Sequence, residues 1–325
     1  MQHFTKAAAG IAALLASGSV FAQGADNWPN RPVTMIVPFA PGAATDIEGR
    51  LYVNELIKNL GQQFIMDFKP GAVMSIGMDH AYRQKPDGYT LVYVSSTYSL
   101  LPLLYKDKPY DTYKNFEQVT LLSKRSAILA VSNNLPVNNV KEFIAYAKAN
   151  PGKINFATGG VGGIQHLTGL WLESATNTKV TFIHYKSIGA SYPDIVAGRT
   201  NMVPATFSAG YPNVKSGKIR AIAIASLQRN PLLPDLPTAT EQGVPGFEYS
   251  SWLGVIAPGG TPAAIVNKAQ GEFAKVLKMP EIKQRLGDET AVIGSTPAEF
   301  RKHAMGETER WKKLVADNNI RFDDK

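Results

Sequence analysis

The stretch Val33-Thr34-Met35-Ile36-Val37-Pro38-Phe39-Ala40-Pro41-Gly42-Ala43-Ala44-Thr45-Asp46 decides the fold class. Val33 to Phe39 is a short β-rich run, and Ala40 to Asp46 is a loop of small, turn-forming residues. Beyond it, Ile47, Leu51, Leu56, Ile57 and Leu60 fall at helical spacing, and Gly61 closes the helix. Further strand candidates follow at Gln63 to Phe68 and Tyr89 to Val94. A strand–loop–helix rhythm of this kind predicts an α/β fold with a largely parallel sheet.

The same device recurs downstream. Ile128 to Val131 reads as a strand, and Asn139 with Glu142 makes a capping box for a helix whose inner face is Val140, Phe143, Ile144 and Ala147. Asn150-Pro151-Gly152 ends that helix. Ile154 to Ala157 then runs into Thr158-Gly159-Gly160-Val161-Gly162-Gly163, after which a helix carries His166, Leu167, Leu170 and Leu172. Val180 to Tyr185 and Ile219 to Ala225 supply more strands. Thr261-Pro262 and Thr296-Pro297-Ala298-Glu299 open two late helices, the second with Phe300, Ala304, Trp311, Leu314 and Val315 inward. Each half thus contains a strand, a Gly-rich turn and a helix N-terminus. Unpaired N–H groups and a partial positive charge at such an end bind carboxylate or phosphate without a basic side chain. Glycines also serve tight turns and nothing more, so one such turn decides little; two in matching positions carry more weight.

Composition narrows the partners. Lys6, the apolar run Ala7 to Ala16, and Val20 and Ala22 at small-residue positions read as an export signal cleaved after Ala22. No cysteine occurs in the 325 residues, which removes thiol nucleophiles and thiolate metal sites. The formal net charge is +8, and the leader contributes only Lys6 to it. A positive surface attracts anions, but the basic residues are dispersed without interleaved aromatics, which argues against nucleic acid. Gly160-Val161-Gly162-Gly163-Ile164-Gln165 imitates a dinucleotide fingerprint, yet Gln165 stands at the third glycine. No Gly-x-Ser-x-Gly elbow appears, and His80, His166, His184 and His303 lack metal-ligand spacing. The expectation is a binding protein without cofactor or metal, not an enzyme.

Over nearly the whole mature length the chain resembles the Bug (TctC-like) family, the extracytoplasmic substrate-binding proteins of tripartite tricarboxylate transporters. The landmarks include Trp28-Pro29-Asn30-Arg31-Pro32, Val37-Pro38-Phe39-Ala40-Pro41-Gly42 with Asp46, Lys69-Pro70-Gly71-Ala72, Pro86-Asp87-Gly88-Tyr89-Thr90-Leu91, His166-Leu167, Tyr185-Lys186, Leu236-Pro237-Thr238, Trp252-Leu253-Gly254 and Ser295-Thr296-Pro297. Their order and spacing carry the resemblance; each alone is weak.

The resemblance implies a type II periplasmic-binding-protein fold, two α/β lobes joined by a hinge with a ligand cleft between. After the signal peptide at 1–22, lobe 1 would comprise 23–128 plus 226–325 and lobe 2 residues 129–225, with crossings near Leu129 to Val131 and Ala223 to Ala225. It implies a periplasmic protein that captures a small carboxylate for the large and small membrane subunits of a tripartite transporter, with a membrane signalling receptor as the alternative partner and a monomer as the default state. Phe39, Ala40, Gly42, Ala43 and Asp46 are expected on one ligand carboxylate, with Ser95, Thr97 and Tyr98 bordering the pocket. From the other lobe, Thr158, Gly159, Gly160, Gly163, His166, Tyr185, Ala190 and Ser191 would close over the ligand, and Thr206 and Phe207 would form another wall. The chain departs from the family pattern in carrying Ala43, Val73-Met74 and Ser187 where glycines are common. It also lacks an acid near Thr206 or Phe207, which disfavours an amino-acid ligand. Tyr98, Phe207 and Tyr211 either pack in the core, the commoner role for such a ring taken alone, or add aromatic surface to the cleft. In the latter case an aromatic carboxylate such as phthalate or terephthalate is the specific expectation, with an aliphatic di- or tricarboxylate close behind.

Overall fold

The computed structural model describes residues 27–288 and 290–317; the expected signal peptide and its cleavage point after Ala22 lie outside the described residues. In chain order the elements are β1 (Val33–Val37), α1 (Ala44–Leu60), β2 (Phe64–Phe68), α2 (Ser75–Tyr82) and β3 (Thr90–Ser95). A 3-10 turn (Ser96–Leu100) and the short α3 (Leu101–Leu104) lead to β4 (Phe116–Ser132) and α4 (Val140–Ala149). Then come β5 (Asn155–Thr158), α5 (Ile164–Thr176), β6 (Thr181–His184), a 3-10 turn (Ile188–Ser191) and α6 (Tyr192–Val196). β7 (Met202–Thr206), α7 (Phe207–Lys215), β8 (Ile219–Ile224), β9 (Ser250–Pro258), α8 (Ala263–Leu277), α9 (Pro280–Leu286), β10 (Thr290–Val292) and α10 (Pro297–Asp317) complete the chain.

Local chemistry sets most boundaries where expected. Gly61 ends α1 at φ 64°, in the left-handed region, with its amide on the Ile57 carbonyl oxygen. The Asn139 side chain accepts from the Glu142 amide at 2.8 Å, while the Glu142 carboxylate reaches back to the Asn138 amide at 2.7 Å. Thr296 and Glu299 cap α10 reciprocally. Leu56 is buried in the core and Leu51, Ile57 and Leu60 pack against it, so among the apolar residues at helical spacing in α1 the departure is Ile47. Ile47 is 59% exposed, and Tyr52, Val53 and Leu56 fill the core with the carboxylate of Glu48. Glu48 is buried because Arg125 of β4 pairs with it at 2.5 Å and both Tyr52 and Ser123 donate to it at 2.6 Å.

The sheet order is β2-β1-β3-β9-β4-β7-β5-β6, with β10 and β8 also on β4. Two parallel trios occur within it, β2-β1-β3 and β6-β5-β7. β4 belongs to both halves. From Phe116 to Ser126 it pairs antiparallel with β9, and from Ala127 to Val131 with β7. Sequence reading finds only Ile128 to Val131 of this 17-residue strand, because Lys124-Arg125-Ser126 interrupts its apolar run. Those polar residues sit where the strand changes partners.

One core lies under β1 to β3, with Val33, Met35, Tyr52, Leu91, Tyr93 and Phe273, and another under β5 and β7, with Phe143, Phe156, Leu167 and Met202. α10 touches both halves: Phe300 and Ala304 pack with Trp252, whereas Trp311 and Leu314 join the second core, Trp311 edge-on to Trp171 of α5 at 6.1 Å.

Candidate functional site

Each expected site segment lies at or just beyond the carboxyl end of a strand. Phe39 to Asp46 follows β1, Ser95 to Tyr98 ends and follows β3, Thr158 to His166 ends and follows β5, Tyr185 to Ser191 follows β6, and Thr206 and Phe207 join β7 to α7. In the orders β2-β1-β3 and β6-β5-β7 the central strand comes first in sequence, and the two strands that follow it lie on opposite sides of it. Such reversals open a crevice at the strands' carboxyl ends.

The loops after β1 and β5 are built alike. The Ala43 amide donates to Ala40 and the Gly163 amide to Gly160, each at 3.3 Å. Gly42 and Gly162 stand at φ 80° and 73°, where a side chain would be strained. Ala43 and Gly163 are extended N-caps, and the Ile47 and Leu167 amides return to their carbonyl oxygens at 3.1 Å. In each loop the glycine amide is taken by a side chain four residues on: Gly42 donates to Asp46 Oδ2 at 2.8 Å and Gly162 to His166 Nδ1 at 3.1 Å. The match extends from Ala40 to Ile47 against Gly160 to Leu167 with no gap. Asp46 is 3% exposed and Arg50 neutralises it at 2.7 Å. In the structure Asp46 holds the loop through Gly42 and ties it to Arg50 of α1.

The second-half loops adjoin one another and the first half. A Cβ on Gly159 would lie 3.5 Å from the Ile188 amide nitrogen, which brings the turn carrying Ala190 and Ser191 beside Thr158. Thr158 Oγ1 lies 2.6 Å from His184 Nδ1, and the His166 ring meets His184 edge-on at 5.1 Å. A Cβ on Gly162 would be 3.1 Å from Leu104 Cδ2, and Leu100 and Leu104 share a buried cluster with Ile164 and Leu167. The loop after β5 therefore rests against the segment that continues from Ser95 and Thr97. Ala40 and Gly42 are exposed, while Phe39 is half-buried with its ring edge-on to Tyr93.

Several side chains expected to face a ligand are committed elsewhere. Tyr98 is fully buried, its hydroxyl donating to the Thr112 carbonyl oxygen at 2.5 Å and accepting from Gln118 at 3.0 Å. Phe207 is fully buried and stacks on Tyr211 at 4.9 Å. The Tyr185 hydroxyl donates to Asp194 at 2.8 Å, and burial, aided by that carboxylate, pushes it above its ordinary range. The Ser191 hydroxyl closes its own turn on Ile188 at 2.6 Å. These polar groups bond within their own half because a buried hydroxyl without a partner is costly.

Sequence reading named Val73 and Met74 as departures but not as site residues. After β2, Ala72, Val73 and Met74 stand at φ 45°, 49° and 72°, the region glycine occupies freely. Met74 Sδ accepts from the Ser95 hydroxyl at 3.5 Å, and the Tyr105 hydroxyl donates to the Ala72 carbonyl oxygen at 2.5 Å. The signal available in the sequence was the loss of glycine at positions that need its backbone.

Chemically, the matched loops offer main-chain donors and helix N-termini, and the one charged side chain within them, Asp46, is already paired. Among the described residues no three His, Cys, Asp or Glu groups cluster as metal ligands.

The family described as "Tripartite tricarboxylate transporter family receptor" matches residues 49–320. A Pseudomonas protein described as the UPF0065 protein in the tcbD-tcbE intergenic region is 32% identical over 316 residues, 96% of this chain and 94% of its own. A solved periplasmic transporter is 34% identical with a TM-score of 0.83, covering 91% of this chain and 100% of that one. An R. palustris protein solved with adipate is 30% identical, TM-score 0.82, over 90% and 99% of the two chains. MatC from Rhodopseudomonas palustris, solved with bound malate, is 29% identical, TM-score 0.80, over 89% and 100%.

Proposed function

Because this chain belongs to the tripartite tricarboxylate transporter family of receptors, we propose that it is a periplasmic solute-binding protein that captures a small dicarboxylate for a tripartite membrane transporter. The observation that carries this reading is the pair of matched loops after β1 and β5, each ending in a helix N-terminus with main-chain donors and no free charge of its own. Two such ends grip the two carboxylates of one ligand, one from each half.

The lobe division rests on strand pairing. The proposed lobes are 23–128 plus 226–325 and 129–225; strand pairing supports a passage near 126–127, and Ala239, Val244 and Phe247 share the core under β5 and β7. The family does not work by catalysis, and the chain is a receptor rather than an enzyme. Relatives solved with adipate and malate favour an aliphatic dicarboxylate. The phthalate reading drew on Tyr98 and Phe207 as walls, and both rings are buried in packing of their own.

The test is a thermal-shift and calorimetric screen of adipate, malate, citrate and terephthalate. A ligand at 100 times its Kd stabilises by about 2.7 kcal/mol. Binding of an aliphatic dicarboxylate with unchanged ligand recovered afterwards is the expected result; no stabilisation by any carboxylate would overturn the reading.

A further inference from the structure

We infer that Asp46 and His166 are equivalent positioning residues, one for each half of the anion cradle, and that the histidine makes the second half dependent on pH. This rests on the carboxylate-binding reading above.

Gly42 and Gly162 both point their amides at a side chain in the first turn of the following helix, at 2.8 Å to Asp46 and 3.1 Å to His166. Those two amides are therefore not ligand donors. Holding them fixes the glycines at positive φ and turns the loop so that the first amides of α1 and α5 face outward, where helix geometry leaves them without carbonyl partners. Asp46 does this with a carboxylate neutralised by Arg50. His166, 6% exposed, does it with a ring nitrogen that accepts, which requires a neutral imidazole. A protonated ring carries N–H at both nitrogens and opposes the Gly162 amide. The second-half bracket therefore hangs on a side chain of the kind that ordinarily changes charge between about pH 5 and 8. His184 of β6, a titratable group, lies against the His166 ring edge-on at 5.1 Å, with its Nδ1 beside Thr158 Oγ1. The Phe182 ring also meets it, at 4.7 Å.

Asn in place of His166 puts an amide oxygen near the Nδ1 position and cannot titrate; Leu removes the acceptor. The Gly162 amide resonance of the unliganded protein, followed by NMR from about pH 8 to pH 5, should trace a histidine titration in the wild type. It should stay bonded and flat in His166→Asn and be unbonded at every pH in His166→Leu. This readout needs no ligand, so it tests the bracket even if the carboxylate reading fails. For the dicarboxylate that binds, wild-type affinity should fall more steeply as pH falls than that of His166→Asn, which should follow only the protonation of the ligand itself. His166→Leu should lose about tenfold or more at all pH values, as expected when a buried donor is left unpaired. A Gly162 resonance indifferent to His166, or affinity that rises on acidification, overturns the inference; the latter would mean that the imidazolium meets the ligand directly.

Discussion

The amide of Tyr249 donates to the carbonyl oxygen of Ala225 at 2.9 Å. This bond closes the second passage of the chain between the two halves directly beside the first, because the Ala225 amide itself donates to Ala127 at 2.8 Å. Ser126 pairs with Ser250 on one side of that point and Ala127 with Thr206 on the other. Bending localised there changes few hydrogen bonds, as hinge closure requires. Saturating ligand should reduce the radius of gyration measured by small-angle scattering. An unchanged value with ligand bound would rule out closure about this point.

The loop after β1 tolerates no loss of its glycine. Gly42→Pro removes the N–H held by Asp46 and forbids φ 80°. Calorimetry should show binding lost while circular dichroism shows the fold retained. Full affinity in this variant would remove the loop from the binding site.

Glu48→Ala is expected to destabilise by about 3–5 kcal/mol, because it strands the Arg125 guanidinium in the core. Denaturant unfolding measures the loss. Ligand affinity, referred to the folded fraction, should be unchanged, since the partners of Glu48 are Tyr52, Ser123 and Arg125, none of them in the loops after β1 and β5.

Tyr98→Phe removes the hydroxyl between Thr112 and Gln118 and should cost about 1–3 kcal/mol of stability. It should leave ligand affinity nearly unchanged, because the ring is core. A large affinity loss without a stability loss would restore Tyr98 as a cleft wall.

Burial, reinforced by Lys124, pulls the His303 imidazole from 6.5 down to about 4. The unfolded chain takes this proton first, so the folded state draws full benefit above pH 6.5 and loses it as pH falls toward 4, by up to about 1.4 kcal/mol per pH unit. Burial raises Glu307 beside it, which favours the folded state in acid and fades as pH rises. The diagnostic is therefore a difference. His303→Gln should flatten the stability curve between pH 6.5 and 4 relative to the wild type, measured by urea unfolding.

Much of the architecture was legible because it is written locally. Gly61, Asn139 with Glu142, and Thr296 with Glu299 terminate helices through bonds within a few residues, and each acts where the sequence put it. The two Gly-rich turns were legible for the same reason. Ile47 misled because an apolar residue on a helical stripe need not point inward when a buried ion pair claims the adjoining position for Glu48. Whether Tyr98 and Phe207 pack in the core or line a cleft was open in the sequence, because proximity to a loop does not reveal which way a ring turns; both rings are buried.

The sequence by itself determined the strand–turn–helix units, their recurrence and the backbone chemistry of their turns, since these depend on contacts between near neighbours. Tertiary structure alone decided that Lys124 to Ser126 lie inside one continuous strand shared by both halves, and that Asp46 and His166 hold the glycine amides. Only packing between distant segments decided which rings are core and which loops adjoin. Such contacts join residues far apart in the chain, and no local pattern specifies their direction.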